Sequence, residues 1–316
     1  MAAKVISMIN WKGGVGKSTL SLHLAVGMMR RAKGEDRPNI LLIDLDPQCN
    51  LSYLALGVSN YVDKVYQHNQ PTLKDIFESY FEGNVFNTTD AIIKQPITAR
   101  PGRVWSNVDI LPSHADLVLV DMRLARERKS GTSHQEETKF EIDKVSIIYN
   151  AIKQVEDDYD YIIIDCPPNI NLVTQNSFFA SQYYLIPAIP DFLSTIGISM
   201  INTEMDKLNE NFERMISYSG VKLDYYNSEL LGIVFNMVDE YRGGPKSTHE
   251  QTINNVRQQH GTAVFENYVT DGDGISVAAD NQMTVYSYEH LPKSKANAEK
   301  QSDYLEEVVD ELFTRI

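Results

Sequence analysis

Two kinds of apolar run divide the chain. Short, nearly continuous ones occur at Val5-Ile6-Ser7-Met8-Ile9, Ile40-Leu41-Leu42-Ile43, Val108-Asp109-Ile110-Leu111, Tyr161-Ile162-Ile163-Ile164, Leu185-Ile186-Pro187-Ala188-Ile189-Pro190 and from Leu230 to Asp239. Runs this short and apolar on both faces predict parallel strands buried inside a sheet. Between them the spacing becomes helical. A helix opens at Leu20-Ser21-Leu22-His23-Leu24-Ala25 and fades near Lys33-Gly34; others are read from Leu73, over Ser113–Arg128, and through Ile147, Ile148, Ala151, Ile152 and Val155. Met200, Ile201, Met205, Leu208 and Phe212 mark a further helix, and Tyr304, Leu305, Val308, Val309 and Leu312 a terminal one. Strand and helix in alternation predict an α/β fold, a mostly parallel twisted sheet flanked by helices. Residues 57–107 are the least readable stretch, with a turn at Arg100-Pro101-Gly102-Arg103. Residues 129–138 are polar without period and read as an exposed loop.

The stretch Lys12-Gly13-Gly14-Val15-Gly16-Lys17-Ser18-Thr19 lies between the first strand and the first helix. Strand, glycine-rich turn and helix are the setting of a phosphate-binding loop. The glycines let successive backbone N–H groups close on phosphate oxygens, and the helix aims its positive end at them. Lys17 then neutralises β- and γ-phosphates, and the Ser18 hydroxyl ligates Mg²⁺. A plain glycine turn accounts for the glycines but not for Lys-Ser directly after them.

Further acids sit where strands end. Asp44 and Asp46 follow the second strand and Asp165 the fourth, at the edge where open α/β sheets bind ligands. Asp165 is placed to serve Mg²⁺. Asn236 ends the last strand; its amide both donates and accepts, which suits a base or an Asx turn.

The loop departs from G-x-x-x-x-G-K-[ST] by carrying Trp11 at the first glycine position and a second lysine, Lys12, before the glycine pair. In this it resembles the deviant Walker A family of ParA and MinD ATPases, K-G-G-x-G-K-[ST]. Asp44-Leu45-Asp46-Pro47-Gln48-Cys49-Asn50 is similar to the family's D-x-D-P-Q-x-N, Asp165-Cys166-Pro167-Pro168 to its D-x-P-P, and Asp109 to His114 to its D-L-I-P-A-H segment. The resemblance implies a P-loop NTPase fold over one continuous domain, with ATP and Mg²⁺ as cofactors and slow Mg²⁺-dependent hydrolysis. It implies that Lys12 reaches the partner's phosphates in a sandwich homodimer, that Asp46 positions the attacking water, and that Asp44 supports the Mg²⁺ shell with Ser18 and Asp165. It places Asn236 and the loop containing Thr270 and Asp271 at the base. The function implied is plasmid or chromosome partition: an ATP dimer on non-specific DNA, released when a ParB-like or other adaptor stimulates hydrolysis.

Composition narrows this picture. With 29 basic and 43 acidic side chains the net charge is −14, so DNA binding requires a local patch. Arg242, Lys246 and Arg257 are the candidates; Arg123, Arg126, Arg128 and Lys129 could form a patch too, but such a run is more often the solvated face of a helix. A MinD-like membrane cycle is disfavoured by the acidic face Asp303, Glu306, Glu307, Asp310 and Glu311 of the last helix. No targeting segment, membrane span or N-terminal helix-turn-helix is expected, and the cytoplasm, on the nucleoid if DNA binds, is the expected location. Cys49 and Cys166 fit a reducing compartment. They match in number the cysteines with which the nitrogenase iron protein holds a cluster, but both sit inside motifs at the nucleotide edge, and small buried side chains in those turns are the favoured reading.

Overall fold

The computed structural model describes residues 2–31 and 37–316, so the expected fading of the first helix at Lys33-Gly34 lies outside the described residues. Six strands, β1 (Lys4–Met8), β2 (Ile40–Asp44), β3 (Val108–Leu111), β4 (Tyr161–Asp165), β5 (Tyr183–Ala188) and β6 (Glu229–Phe235), pair in the order β3-β2-β4-β1-β5-β6. Every pairing is parallel. The continuous apolar runs follow from this, because helices cover both faces. Along β2, Ile40 and Leu42 enter one core and Leu41 and Ile43 the other; in β4, Ile163 faces the first core while Ile162 and Ile164 face the second. Each such buried side chain contributes about 1.5–3 kcal/mol relative to exposure.

The first core lies under helices Lys17–Arg31 and Lys295–Arg315. The opposite face is covered by Leu117–Arg126, Ile147–Lys153, Leu172–Ala180 and Phe192–Ser219. All six strands run the same way, so Met8, Asp44, Leu111, Asp165, Ala188 and Phe235 end at one edge.

Four expectations are corrected. Residues 129–138 are not a loop throughout, because a helix, His134–Val145, begins within them. Ser133 accepts from the Glu136 amide at 3.2 Å, and the Glu136 carboxylate accepts from the Thr132 amide at 2.7 Å, so capping starts a helix whose apolar stripe is small. The helix read over Ser113–Arg128 is shorter, Leu117–Arg126. The last strand stops at Phe235, before Asn236, and Met237 takes a left-handed φ of 54°. Met200 is not on the buried side of its helix: it is 54% exposed, while Ile201, Met205, Leu208 and Phe212 are buried. The poorly readable stretch holds a short helix Val58–Tyr61, a π-helical turn Val62–Gln67 and a helix Leu73–Glu82 started by a Thr72–Asp75 capping box. It also holds a hairpin, Thr98–Arg100 against Arg103–Val104, whose turn is the expected one.

Candidate functional site

The glycine-rich loop leaves β1 and is shaped first by Asn10, a fully buried side chain that sequence reasoning passed over. Its amide donates to the Pro187 carbonyl at 2.7 Å and its Oδ1 accepts from the Lys12 amide at 2.8 Å, which pins the loop to the end of β5. The Asn10 carbonyl takes the Lys17 ammonium at 3.0 Å. Gly14 and Gly16 have φ of 76° and 82°, and a Cβ on Gly16 would sit 2.2 Å from Asn236 Nδ2. Any side chain at residue 16 would therefore meet both the wrong backbone region and the Asn236 amide. Gly13 and Gly14 have nothing within 4 Å of where a Cβ would stand, and both are exposed, so the loop opens to solvent on the side where phosphate would lie. Val15 is buried beneath it; Ser18 and Thr19, in the first turn of helix Lys17–Arg31, are half-buried.

Sheet register sets the charges. Asp165 at the end of β4 lies beside Asp44 of β2 on one side and Met8 of β1 on the other. Both oxygens of Asp165 are buried without a hydrogen-bond partner among the described residues. Burial raises its proton affinity; the nearby Ser18 hydroxyl and the Lys17 ammonium oppose the rise, and Asp46 adds to it. Burial likewise lowers the pKa of Lys17, against the pull of Asp165 and Asp46. An orphaned carboxylate beside a serine hydroxyl and an open phosphate loop fits Mg²⁺, which usually takes one or two carboxylates and completes its octahedron with phosphates and water. Among the described residues no group of three or more His, Cys, Asp or Glu side chains is arranged to hold a metal by itself.

Asp44 is placed differently from Asp165. Its Oδ2 accepts from the Ser52 amide at 2.8 Å and hydroxyl at 2.7 Å, and its Oδ1 from the Asp46 amide at 3.2 Å. Burial and the Asp165 charge push its pKa well up, and the two hydrogen bonds from Ser52 tie the strand end to the next helix. Asp46 is buried and accepts from the Gln48 amide at 2.9 Å; its carbonyl takes the Ser113 hydroxyl at 2.7 Å.

Asn236 reaches the loop itself. Its amide donates to the Val15 carbonyl at 3.0 Å and accepts from the following N–H at 3.0 Å, so it braces the glycine turn and closes a local turn at once. The Thr270–Asp271 segment runs alongside: the Asp271 amide donates to the Val238 carbonyl at 3.0 Å, and Gln301 holds the Thr270 carbonyl at 3.0 Å. Thr270 is buried and Asp271 exposed.

Lys12 does not point into its own loop. Its ammonium pairs with Asp191 and stands 3.5 Å from the Ser194 hydroxyl. Asp191 caps the helix Phe192–Ser219 by accepting from the Ser194 amide at 2.9 Å. The Asp-x-x-Ser spacing after Pro190 is the cap signal that could have drawn attention to it. The helix then leaves Phe192, Leu193, Ile196 and Met200 exposed at 75%, 68%, 46% and 54%.

Of the three cations considered for DNA, Lys246 pairs with Asp239 at 3.0 Å and Arg257 with Glu266 at 3.2 Å, while Arg242 lies over the Tyr241 ring. Cys49 and Cys166 are both wholly buried, Cys166 against the Ser177 hydroxyl at 3.1 Å.

A family model described as an AAA domain matches residues 3–218. An uncharacterized protein of Methanocaldococcus jannaschii is 31% identical over 253 residues, 78% of each chain. The chromosome partitioning protein ParA of Caulobacter vibrioides is 26% identical, with 90% of this chain and 87% of that one covered. The fold is shared with an ATP complex of Cyanothece McdA at a TM-score of 0.69 and 16% identity, over 100% of this chain and 98% of that one. The glycine loop, the strand-end aspartates and these matches agree: the chain belongs to the AAA-domain family of ParA/MinD-like partition and positioning ATPases.

Proposed function

We propose that the protein is an Mg²⁺-dependent ATPase whose ATP-bound form is a sandwich homodimer, binding DNA without sequence preference and released when a ParB-like adaptor speeds hydrolysis. The observation that carries this reading is Lys12. It projects from the phosphate loop to the start of a helix whose bare apolar face, Phe192, Leu193, Ile196 and Met200, begins next to it. A second copy covering that face would bring its Lys12 and this one toward facing triphosphates, where extra cations are needed. Exposed apolar faces of this kind mark association surfaces.

Within one subunit, the open N–H groups of the loop and Lys17 would hold the β- and γ-phosphates, and Ser18 and Asp165 would hold the Mg²⁺. The metal would supply charge neutralisation between the phosphates. Asp46, at the same edge, would orient a water on the γ-phosphate, and Asn236 with the Thr270–Asp271 segment would border the base. Asp44, with its oxygens already taken by Ser52 and the Asp46 amide, would support this arrangement through the backbone. Chemistry so built is positioning and electrostatics, which accords with a slow basal rate.

Of the three cations, only Arg242 has no carboxylate partner among the described residues, so the DNA contact would begin at that side chain. A membrane cycle fits poorly, because Leu305, Val308, Val309 and Leu312 of the last helix are spent on the core. A shared iron–sulfur cluster fits poorly too, since both thiols are interior. Light scattering and DNA co-sedimentation, each with and without ATP, test the reading. A protein that stays monomeric with ATP overturns it, and an ATP dimer that ignores DNA at low salt removes partition on DNA in favour of another cargo.

A further inference from the structure

A second cleft opens at the opposite edge of the sheet. It has a volume of about 430 Å³ and is lined by Arg30, Arg37, Arg100, Arg103, Trp105 and His290 among others, with Glu289 as the one carboxylate in the described lining. Helix Lys17–Arg31 connects the two places. It starts at the phosphate loop, runs 15 residues, about 22 Å at 1.5 Å per residue, and brings Arg30 of its last turn to the cleft. The cleft is therefore no part of the loop's site.

Its charge is concentrated: four of its lining residues are arginines. Many basic side chains here are paired with carboxylates, as Lys74 is with Asp116 and Lys94 with Asp109. Arg37, Arg100 and Arg103 are exposed and have no carboxylate partner among the described residues, in a chain whose net charge is −14. Arg100 and Arg103 stand directly opposite each other in the hairpin. Like charges at that position destabilise a hairpin, so the fold tolerates a cost that a bound anion would remove. Arg30 lies between the Tyr286 ring, at 4.7 Å, and the Trp105 ring, at 5.5 Å, and its other nitrogens are held by the Tyr286 carbonyl and Glu306. It builds the wall and leaves the anion to the other three. Trp105 Nε1 and Arg30 Nε are buried donors without partners among the described residues. Planar guanidinium forks bind phosphate bidentately, and an aromatic side chain offers a face for a base. A concave space of this size suits one nucleotide, not the convex side of a duplex.

We propose that this cleft binds a nucleotide, its phosphate on Arg37, Arg100 and Arg103 and its base against Trp105, either free or as one unit of a single strand. The proposal does not depend on what the phosphate loop does.

The chain has two tryptophans, Trp11 and Trp105, so Trp11→Phe leaves Trp105 as the sole reporter, beyond the reach of ligand in the loop. Its fluorescence would be titrated with AMP, with inorganic phosphate and with oligothymidylate, and again after adding Lys17→Ala. Saturable quenching unaffected by Lys17→Ala is expected. AMP alone acting would assign a free nucleotide, and oligothymidylate acting more strongly would assign a strand. Arg100→Ala and Arg103→Ala should each weaken binding about tenfold or more, Arg100→Lys less, with basal ATPase unchanged. Arg103→Glu should lose binding yet raise the thermal midpoint of the free protein, because it turns a repulsive pair into an attractive one. No quenching, quenching indifferent to both arginines, or an equal response to inorganic phosphate overturns the proposal.

Discussion

If Lys12 must cross to a partner, the Asp191 pair holds it back, and Asp191→Asn should tighten the ATP-dependent dimer. The size follows from exposure. Lys12 and Asp191 side chains are 34% and 37% exposed, so the pair belongs with solvent-screened ion pairs worth about 0.2–1 kcal/mol. Removing that restraint from each subunit should lower the dimer dissociation constant by about 1.4- to 5-fold per released lysine, or about 2- to 25-fold for two. Asparagine is chosen because Asp191 also caps a 28-residue helix, and Asn caps as well as Asp, whereas Ala would cost about 1 kcal/mol and blur the result. Asp191→Ser, a good cap too short to hold Lys12, should act alike. Burial alone would raise the Asp191 pKa, but Lys12 and the Ser194 amide take it below the ordinary value. A depressed carboxylate keeps its contribution above the unfolded pKa and loses it only in acid, so the effect should be the same at pH 6 and pH 8. Sedimentation velocity with ATP and the slowly turning Asp46→Ala background measures it. An unchanged or weaker dimer in both variants would show that Asp191 does not restrain Lys12.

Other expectations concern the loop and its acids. Lys12→Ala should bind nucleotide, because Lys17 remains, yet scatter light as a monomer with ATP; a dimer would remove its role in trans. Asp46→Ala should retain ATP and lose turnover, accumulating the closed dimer, and turnover at the wild-type rate would reassign the water. The raised pKa of Asp165 means that protons compete with Mg²⁺ well above the ordinary carboxylate range. Binding of Mg²⁺-ATP should therefore release more protons in the wild type than in Asp165→Asn, and the wild-type affinity should fall more steeply toward acid. Calorimetry in buffers of different ionisation enthalpy would read this, and equal proton release in the two proteins would separate Asp165 from the metal.

What the sequence made legible was what local pattern encodes. Parallel strands buried on both faces must be apolar throughout, so all six could be read, and the acids Asp44 and Asp165 stand at their ends side by side. The polar helix His134–Val145 escaped because its buried apolar residues are few, Ile142 and Val145, while its start is written in hydrogen bonds among Thr132, Ser133 and Glu136. Met200 misled for the converse reason. Helix Phe192–Ser219 carries two apolar stripes, and composition cannot tell the one that faces the core from the one that faces water.

Partnerships between distant residues were the least legible, and they decide how the site works. Asn236 could be singled out at a strand end, but not its hydrogen bond to the Val15 carbonyl across 221 residues. The motif marked Lys12 as a lysine ahead of the glycine pair, but not its partner Asp191, 179 residues away, which holds it in the single chain. Each pairing arises because parallel topology returns every strand end to one edge, so that residues remote in sequence meet there. A motif thus specifies which groups arrive at the edge. Which of them restrain one another before ligand and partner arrive depends on the order β3-β2-β4-β1-β5-β6. That order sets β1 beside β5, and so puts the loop that follows β1 within reach of the helix cap that follows β5. On the proposed reading, a switch built this way would need no moving domain: exchange of Lys12 between Asp191 in its own chain and a phosphate in the next would be enough to couple nucleotide to association.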